Sequence, residues 1–378
     1  MSTSNDIYIQ KTSQDAAKSR QSAVNRGYIK DDFTKHFIKK KFHQIRKSPI
    51  MNRGTYCRFL GIQSVISAFI DTYTSSKKVQ VVSLGSGLDT SYFMYKQKLK
   101  DRAIRAATGC KVCFFEIDFH AVNESKIKSI SESKELLDLL PDMPVIKIDE
   151  QSQLVCSDYM ILSGDLRSFA TDISRKLANP DQPLVFDSSC PTLILSECAL
   201  IYLHPDDANA IIDFFADNCE SQAVYFGYDH IQPFDRFGQQ MLLNLSSVGI
   251  ELKSINAYHS TAKQVERFMS RRSPAMPNDA PASCPDNAGP ANNSSSLGAV
   301  DYVAAEKRNW SCAYSIDLFK FYSNYVSKDE KTRISKLEIL DEVEELAILL
   351  GHYCFTFAAL NPIPIDSSLQ KFIDSSLP

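Results

Sequence analysis

The sequence predicts an open, doubly wound α/β fold with a parallel sheet. Three observations carry this. Short apolar runs recur along the chain, a helical stretch follows each of them, and the first run ends in a glycine turn. Alternating β and α segments bury a parallel sheet between two helical layers, and such sheets bind ligands beyond the carboxyl ends of their strands.

The elements follow in chain order. Residues 1–12 are polar and are expected to be disordered. From 15 to 66 the pattern is helical and charged, as in DDFTKHFIKKKF. Over 50–70, Leu60, Ile62, Val65, Ile66 and Phe69 mark a helix packed on a sheet. The run VQVVSL, 79–84, ends in Gly85-Ser86-Gly87 and reads as a buried strand turning tightly into a helix. Further strands are expected at 111–117, 159–162, 192–196 and 223–228, with helices at 121–133, 168–177, 205–219 and 235–248. Pro205 stands where a first-turn proline belongs, ahead of Asp206 and Asp207.

Five of the sixteen prolines fall between Pro274 and Pro290, and NNSSS follows. Residues 271–300 are therefore expected to be a flexible low-complexity insertion within one domain spanning 13–360. Periodicity resumes near Ser311 and runs through LEILDEVEELAILLGHYCFTFAAL as helix then strand, leaving 361–378 as a tail.

Bulk properties exclude several classes. Hydrophobic residues make up 44% and charged residues 23%, enough apolar matter for a sizeable core. A net charge of -3 gives no electrostatic footprint for nucleic acid. The start, MSTSNDIYIQ, has no basic segment leading into an apolar run, so no secretory signal is read. The longest apolar stretch, 346–360, is broken by Gly351 and His352 and is too short to span a membrane. Ten irregularly spaced cysteines point to reduced thiols in the cytoplasm. Cys110 and Cys113 form a CxxC without a second pair, and Cys113 runs into a strand, so no metal is expected.

Four motifs carry chemistry. In VVSLGSGLDT, 81–90, Gly85 and Gly87 let the backbone approach a nucleotide-like ligand. Asp89 lies two residues beyond. A carboxylate there repels a pyrophosphate and suits a ligand bearing an amino group and a sulfonium charge. In FFEIDF, 114–119, an acid at the strand end can accept both hydroxyls of a ribose, and Asp118 lies nearer that end than Glu116. After a third strand, in Ser163-Gly164-Asp165-Leu166, Asp165 could accept the adenine amine while Leu166 packs on the ring. In ILSECALIYL, 194–203, Glu197 ends an apolar strand and needs a cationic partner at that depth, which a bound ammonium would supply. No base stands near Cys198 to make it a nucleophile. His204 reads as a surface residue and His352 as a core one.

Together these residues resemble the leucine carboxyl methyltransferases. The resemblance rests on NRGTYCRFLGI (52–62), LGSGLDTSYF (84–93), FFEIDF, GDLR (164–167), LSECALIYL (195–203), DRFGQQM (235–241) and LEILDEVEEL (337–346), in family order over about 14–360. It implies a Rossmann-like class I S-adenosylmethionine-dependent methyltransferase with added N-terminal helices and a lid region. By resemblance, Arg20, Arg58, Gly85, Gly87, Asp118, Asp165, Leu166 and Glu197 fall at cofactor-contacting positions. Arg20 replaces a lysine of the relatives.

The acceptor implied is the C-terminal leucine carboxylate of the protein phosphatase 2A catalytic subunit, with S-adenosylhomocysteine as second product. That carboxylate is already ionised at neutral pH and needs no general base. Catalysis then rests on alignment, with Arg58 gripping the carboxylate and Tyr202 donating a second hydrogen bond. Alternatives are a carboxylate on a tRNA base precursor, methylated by a branch of the family that carries a C-terminal β-propeller not expected here, a small-molecule acceptor, or a non-catalytic binding protein. A monomer is expected.

Overall fold

The computed structural model describes residues 4–101, 109–148, 152–269 and 310–376; the insertion expected at 271–300 lies outside them. Three helices precede the sheet: α1 (Ser4–Asn25), the single turn α2 (Thr34–Phe37) and α3 (Pro49–Thr72). Nine strands are described: β1 (Lys78–Leu84), β2 (Lys111–Asp118), β3 (Val145–Lys147), β4 (Gln153–Val155), β5 (Tyr159–Ser163), β6 (Thr192–Glu197), β7 (Ala223–His230), β8 (Cys312–Asp317) and β9 (Tyr353–Ala359). They form one sheet in the order β3-β4-β5-β2-β1-β6-β7-β9-β8.

Crossover helices lie between the strands. Helices α4 (Ser91–Asp101) and α5 (His120–Ser131) follow β1 and β2, with the turn α6 (Lys134–Leu137) next. The turn α7 (Ser174–Leu177) follows β5, α8 (Pro205–Asn218) follows β6, and α9 (Arg236–Ser247) with α10 (Thr261–Met269) follows β7. The remaining helices are α11 (Leu318–Tyr325), α12 (Lys328–Ser335), α13 (Val343–Gly351) and α14 (Ser368–Ser376).

The centre, β5-β2-β1-β6-β7, is parallel, and its apolar runs are buried on both faces by two separate hydrophobic clusters. Both edges depart from the all-parallel expectation. At one edge β4 runs antiparallel to β5 and to β3; at the other, β9 runs antiparallel to β7 and β8. The order reverses between β1 and β6. Register keeps the neighbouring tips level, with Leu84 beside Ile117 and Ser196, and Asp118 beside Ser163. Level tips at a reversal make a crevice, where open α/β sheets bind ligands.

Three segments differ from expectation. Residues 4–12, expected to be disordered, begin α1, because their polar groups find partners: Asp6 is buried against Arg167, and the Tyr8 ring covers Gly249. Residues 361–378, expected as a tail, include α14, whose Leu369, Phe372 and Ile373 pack into the core cluster that also holds Val65 and Phe69 of α3. The charged stretch DDFTKHFIKKKF is loop around two short turns, since Asp31 accepts from the backbone of Phe33 and Thr34 and competes with a continuous helix. No helix among the described residues is long and apolar enough to cross a membrane.

Helix α3 is laid flat on the sheet by one residue. A Cβ at Gly61 would meet the Phe355 ring at 2.3 Å, so only glycine lets the helix and β9 touch there. One turn earlier the same helix face carries Arg58.

Candidate functional site

A cavity of about 520 Å³ opens at the crevice, within the usual size of small-molecule sites. Arg20, Arg58, Gly85, Gly87, Asp118, Asp165, Leu166, Glu197 and Tyr202 all line it, although they come from α1, α3 and four strand ends.

The floor is the turn after β1. Gly85 and Gly87 both sit in the left-handed region, with φ +64° and +55°. A Cβ at Gly85 would stand 2.6 Å from Cβ of Ala199. Ala199 is brought there by a sharp bend after β6, where Cys198 itself adopts φ +52° and donates its N–H to the Tyr228 carbonyl at 2.7 Å. Asp118, at the tip of β2, accepts N–H of Gly87 at 2.6 Å and of Phe119 at 2.7 Å. Burial raises its pKa, these two donors pull it back, and the balance is about 6. Glu116 does not line the cavity. It is buried two residues deeper, bound to the fully buried Lys126, which also donates to the Asp89 carbonyl at 2.7 Å.

Asp89 is not the free acid that the sequence suggested. Its carboxylate accepts from Arg20 Nη1 at 3.0 Å and from the Ser91 N–H at 3.2 Å. Burial opposes its charge, but Arg20 and Lys126 outweigh that and hold its pKa below the ordinary value. Arg20 also donates to Thr90 Oγ1 at 2.9 Å and lies 3.9 Å from Asp31, so two buried carboxylates fix its position.

At the opposite wall Arg58 Nε donates to Glu197 Oε1, and its guanidinium lies over the Tyr228 ring at 4.9 Å. Burial disfavours the Arg58 charge, yet Glu197 more than compensates and keeps it protonated. Tyr228 stacks on Tyr353 with ring centroids 5.2 Å apart, and His230 packs on the same ring. Burial and the nearby Arg58 push the His230 pKa down to about 3, leaving a neutral imidazole. Burial raises the Cys198 pKa, so it is a thiol at neutral pH. Contrary to the sequence expectation, a base does stand beside Cys198, since His230 Nδ1 lies 4.0 Å from its Sγ and both line the cavity. An imidazole so weakly basic cannot deprotonate a thiol whose own pKa is raised, so the pair holds no thiolate.

The third corner is more crowded than expected. Arg167 Nε donates to both oxygens of Asp165 at 2.9 Å, and its Nη2 reaches Asp6 of α1 at 2.9 Å. Sequence reasoning quoted Arg167 within GDLR but gave it no part. It also passed over Tyr228, His230 and Tyr353, which lie in runs that read as plain apolar strand. The lining carries six carboxylates against four lysine and arginine side chains, a balance that favours a cationic ligand.

Two sequence motifs prove to be structural. In NRG, Asn52 is buried, accepting from Ser22 Oγ at 2.8 Å and donating to Glu338 at 2.8 Å, while Arg26 holds the other Glu338 oxygen at 2.7 Å. This ties α1, α3 and the LEILDEVEEL segment together. In DRFG, Asp235 caps α9 by accepting the Gly238 N–H at 2.7 Å and pairs with the buried His352 at 2.9 Å. His204 is largely exposed, so both histidines stand where the sequence put them. Among the described residues no cluster of histidine, cysteine and acidic side chains could hold a metal.

Residues 8–216 match the family model for leucine carboxyl methyltransferase. A leucine carboxyl methyltransferase 1 homolog from Arabidopsis thaliana is 34% identical, covering 94% of this chain and 90% of that protein. Leucine carboxyl methyltransferase 1 from Schizosaccharomyces pombe is 31% identical, covering 93% and 94%. A tRNA wybutosine-synthesizing protein 4 from Rattus norvegicus is 27% identical over 98% of this chain, which spans 47% of that protein.

Proposed function

The chain belongs to the leucine carboxyl methyltransferase family, and from that premise we propose that it methylates the C-terminal leucine carboxylate of the protein phosphatase 2A catalytic subunit, using S-adenosylmethionine. That it is a methyltransferase on a Rossmann-like sheet with added N-terminal helices follows from the family and the topology. The donor and the acceptor are our reading.

The lining fits the donor. Glycines at φ +64° and +55° bring bare backbone to the cavity floor, Asp118 offers a carboxylate at the strand tip, and the excess of acids suits positive charge. S-adenosylmethionine supplies a methyl group carried on a positively charged sulfur. Asp118 would accept the ribose hydroxyls, Asp165 and Leu166 would meet the adenine, and Glu197 would take the ammonium. Arg20, fixed by Asp89 and Thr90, would face the donor carboxylate.

One observation carries the acceptor assignment: the Arg58–Glu197 pair at the β6 tip, inside the same cavity as the glycine turn. Arg58 is a guanidinium held by Glu197 on one edge and by the Tyr228 face, so it can present its remaining donors to an anion. Tyr202 lines the cavity beside it, and burial raises its pKa, so its hydroxyl stays a donor. A carboxylate acceptor is ionised at neutral pH and demands no base. A neutral His230 and an un-ionised Cys198 match that demand. The protein's task is then alignment, which can lower a barrier by about 7–11 kcal/mol.

The test uses donor labelled in its methyl group, incubated with the phosphatase catalytic subunit and with a copy lacking its last leucine. Base-labile label on the intact subunit alone is expected. Label on both, or on neither, overturns the assignment. Label entering tRNA instead would transfer it to the chemistry that the rat relative's name describes.

A further inference from the structure

Residues 33–70 contain no aspartate or glutamate, although the chain has 45 in 378, and an even spread would place about four there. The same stretch holds eight lysines and arginines, six of them between Lys35 and Lys47. The net charge of -3 conceals this concentration. Arg53 donates to the Glu338 backbone carbonyl at 3.3 Å, Arg58 pairs with Glu197, and Lys35 shares Glu135 with His36. Lys39, Lys40, Lys41 and Arg46 are exposed, Lys47 is half-buried, and none has an ion-pair partner among the described residues.

The loop that carries them is anchored. Lys47 donates its N–H to Ser22 Oγ at 2.7 Å, and Asn25 Nδ2 donates to the carbonyls of His43 and Ile45 at 2.8 and 3.1 Å. The ammonium groups of Lys18 and Lys41 both lie over the Phe42 ring, 4.7 and 5.1 Å from its centroid. The loop therefore runs along α1 and leads directly into α3 at its Ser48 cap. Those two helices form one side of the cavity mouth, with Ser19 from α1 and Met51 and Thr55 from α3. Asp15 of α1, which also lines the cavity, is paired with Lys18 at 2.9 Å.

We propose that the 39–47 loop docks an anionic segment of the acceptor polypeptide, upstream of the residue whose carboxylate enters the cavity. This rests on the reading of the acceptor as a protein C-terminus. A spacing follows from the geometry. From Lys47 to Arg58 the chain climbs α3 at about 1.5 Å per residue, roughly 16 Å, which an extended peptide covers in about five residues. Acidic side chains are therefore expected from about the fifth residue before the C-terminus. Fixed cations beside the mouth raise encounter and affinity for such a tail and leave the chemical step unchanged.

The test uses the full chain and a neutral carrier protein ending in a ten-residue tail that closes on leucine. One tail has acids five to eight residues from its end; the other has asparagine and glutamine there. The wild type should prefer the acidic tail, and salt should erode the preference. In Lys39→Gln/Lys40→Gln/Lys41→Gln, kcat/KM for the acidic tail should fall about tenfold, the factor that three exposed pairs supply together. Its kcat, the neutral tail and S-adenosylhomocysteine affinity should not change. Equal use of both tails by the wild type, or equal slowing of both by the variant, overturns docking, as does methylation of the phosphatase subunit with neither tail accepted. Loss of RNA or anionic-vesicle binding with unchanged tail kinetics would also overturn it and assign the loop to those polyanions. If neither the tails nor the phosphatase subunit is methylated, the acceptor reading itself has failed and docking falls with it.

Discussion

Replacing Gly85 with alanine separates two costs that the glycine turn avoids. The residue sits at φ +64°, where an L side chain costs about 1–2 kcal/mol. Its new Cβ would also lie 2.6 Å from Cβ of Ala199, a backbone-anchored neighbour, adding about 1–3 kcal/mol of overpacking. Gly85→Ala should therefore lose about 2–5 kcal/mol in urea denaturation. Gly109 supplies the control, with φ +59° and, among the described residues, nothing within 4 Å of its added Cβ, so Gly109→Ala should show only the first cost. Adding Ala199→Gly to Gly85→Ala removes the collision and should return about 1–3 kcal/mol, measured as the coupling in a double-mutant cycle. S-adenosylhomocysteine titration should follow the same order, because a turn pushed off Ala199 no longer presents its backbone correctly. If Gly85→Ala is no less stable than Gly109→Ala, or if the second substitution recovers nothing, the close approach of the β1 and β6 turns is not what demands glycine.

Three further outcomes are expected. Arg58→Lys keeps a cation beside Glu197, so the fold should persist, but loss of the planar fork should lower turnover about a hundredfold in initial-rate assays; wild-type turnover would remove Arg58 from the mechanism. With the Asp118 pKa at about 6, S-adenosylhomocysteine affinity should be flat above pH 7 and fall about tenfold per unit below pH 6, because hydroxyl groups need the carboxylate as acceptor; calorimetry on wild type and Asp118→Asn would show the dependence vanish with the acid. For stability the sign is opposite: a raised folded-state pKa favours the folded form at low pH, and that contribution is lost as pH rises through 6. Lys126→Met should cost about 3–5 kcal/mol by stranding the buried Glu116, and Lys126→Met/Glu116→Gln should recover much of it in urea denaturation.

The strands at the centre of the sheet could be read from the sequence because each is apolar on both faces and ends in a glycine or an acid. VQVVSL and FFEIDF carry that pattern without help from distant residues. The edge strands could not. The strand Val145–Lys147 is three residues long and its partner Gln153–Val155 no longer, so neither offers a period to count. The start of the N-terminal helix, before Asp15, failed for a different reason. Its first turns are polar, and only the fold brings Arg167, Gly249 and the cavity rim to meet Asp6 and Tyr8. Motif order located the cavity's acids, but local sequence cannot show which acids are already engaged. Asp89 reads as a ligand-facing carboxylate until Arg20, 69 positions earlier, is placed upon it.

That pairing is general across the cavity and explains how it tolerates so much buried charge. Arg58 has Glu197, Arg20 has Asp89, and Arg167 has both Asp165 and Asp6. A buried unpaired ion is costly, so a site that receives an ammonium, a carboxylate and a sulfonium, as the proposed donor requires, is more stable if its own ions neutralise one another until exchange occurs. Binding then swaps one partner for another instead of creating new buried charge. At the third corner the swap reaches beyond the cavity. On the proposed reading, an adenine amine that takes Asp165 would leave Arg167 with Asp6, so donor recognition and the seating of α1 would draw on the same guanidinium. Because α1 also lines the cavity and anchors the cationic loop, the proposed donor site and the proposed docking surface would be joined through one helix.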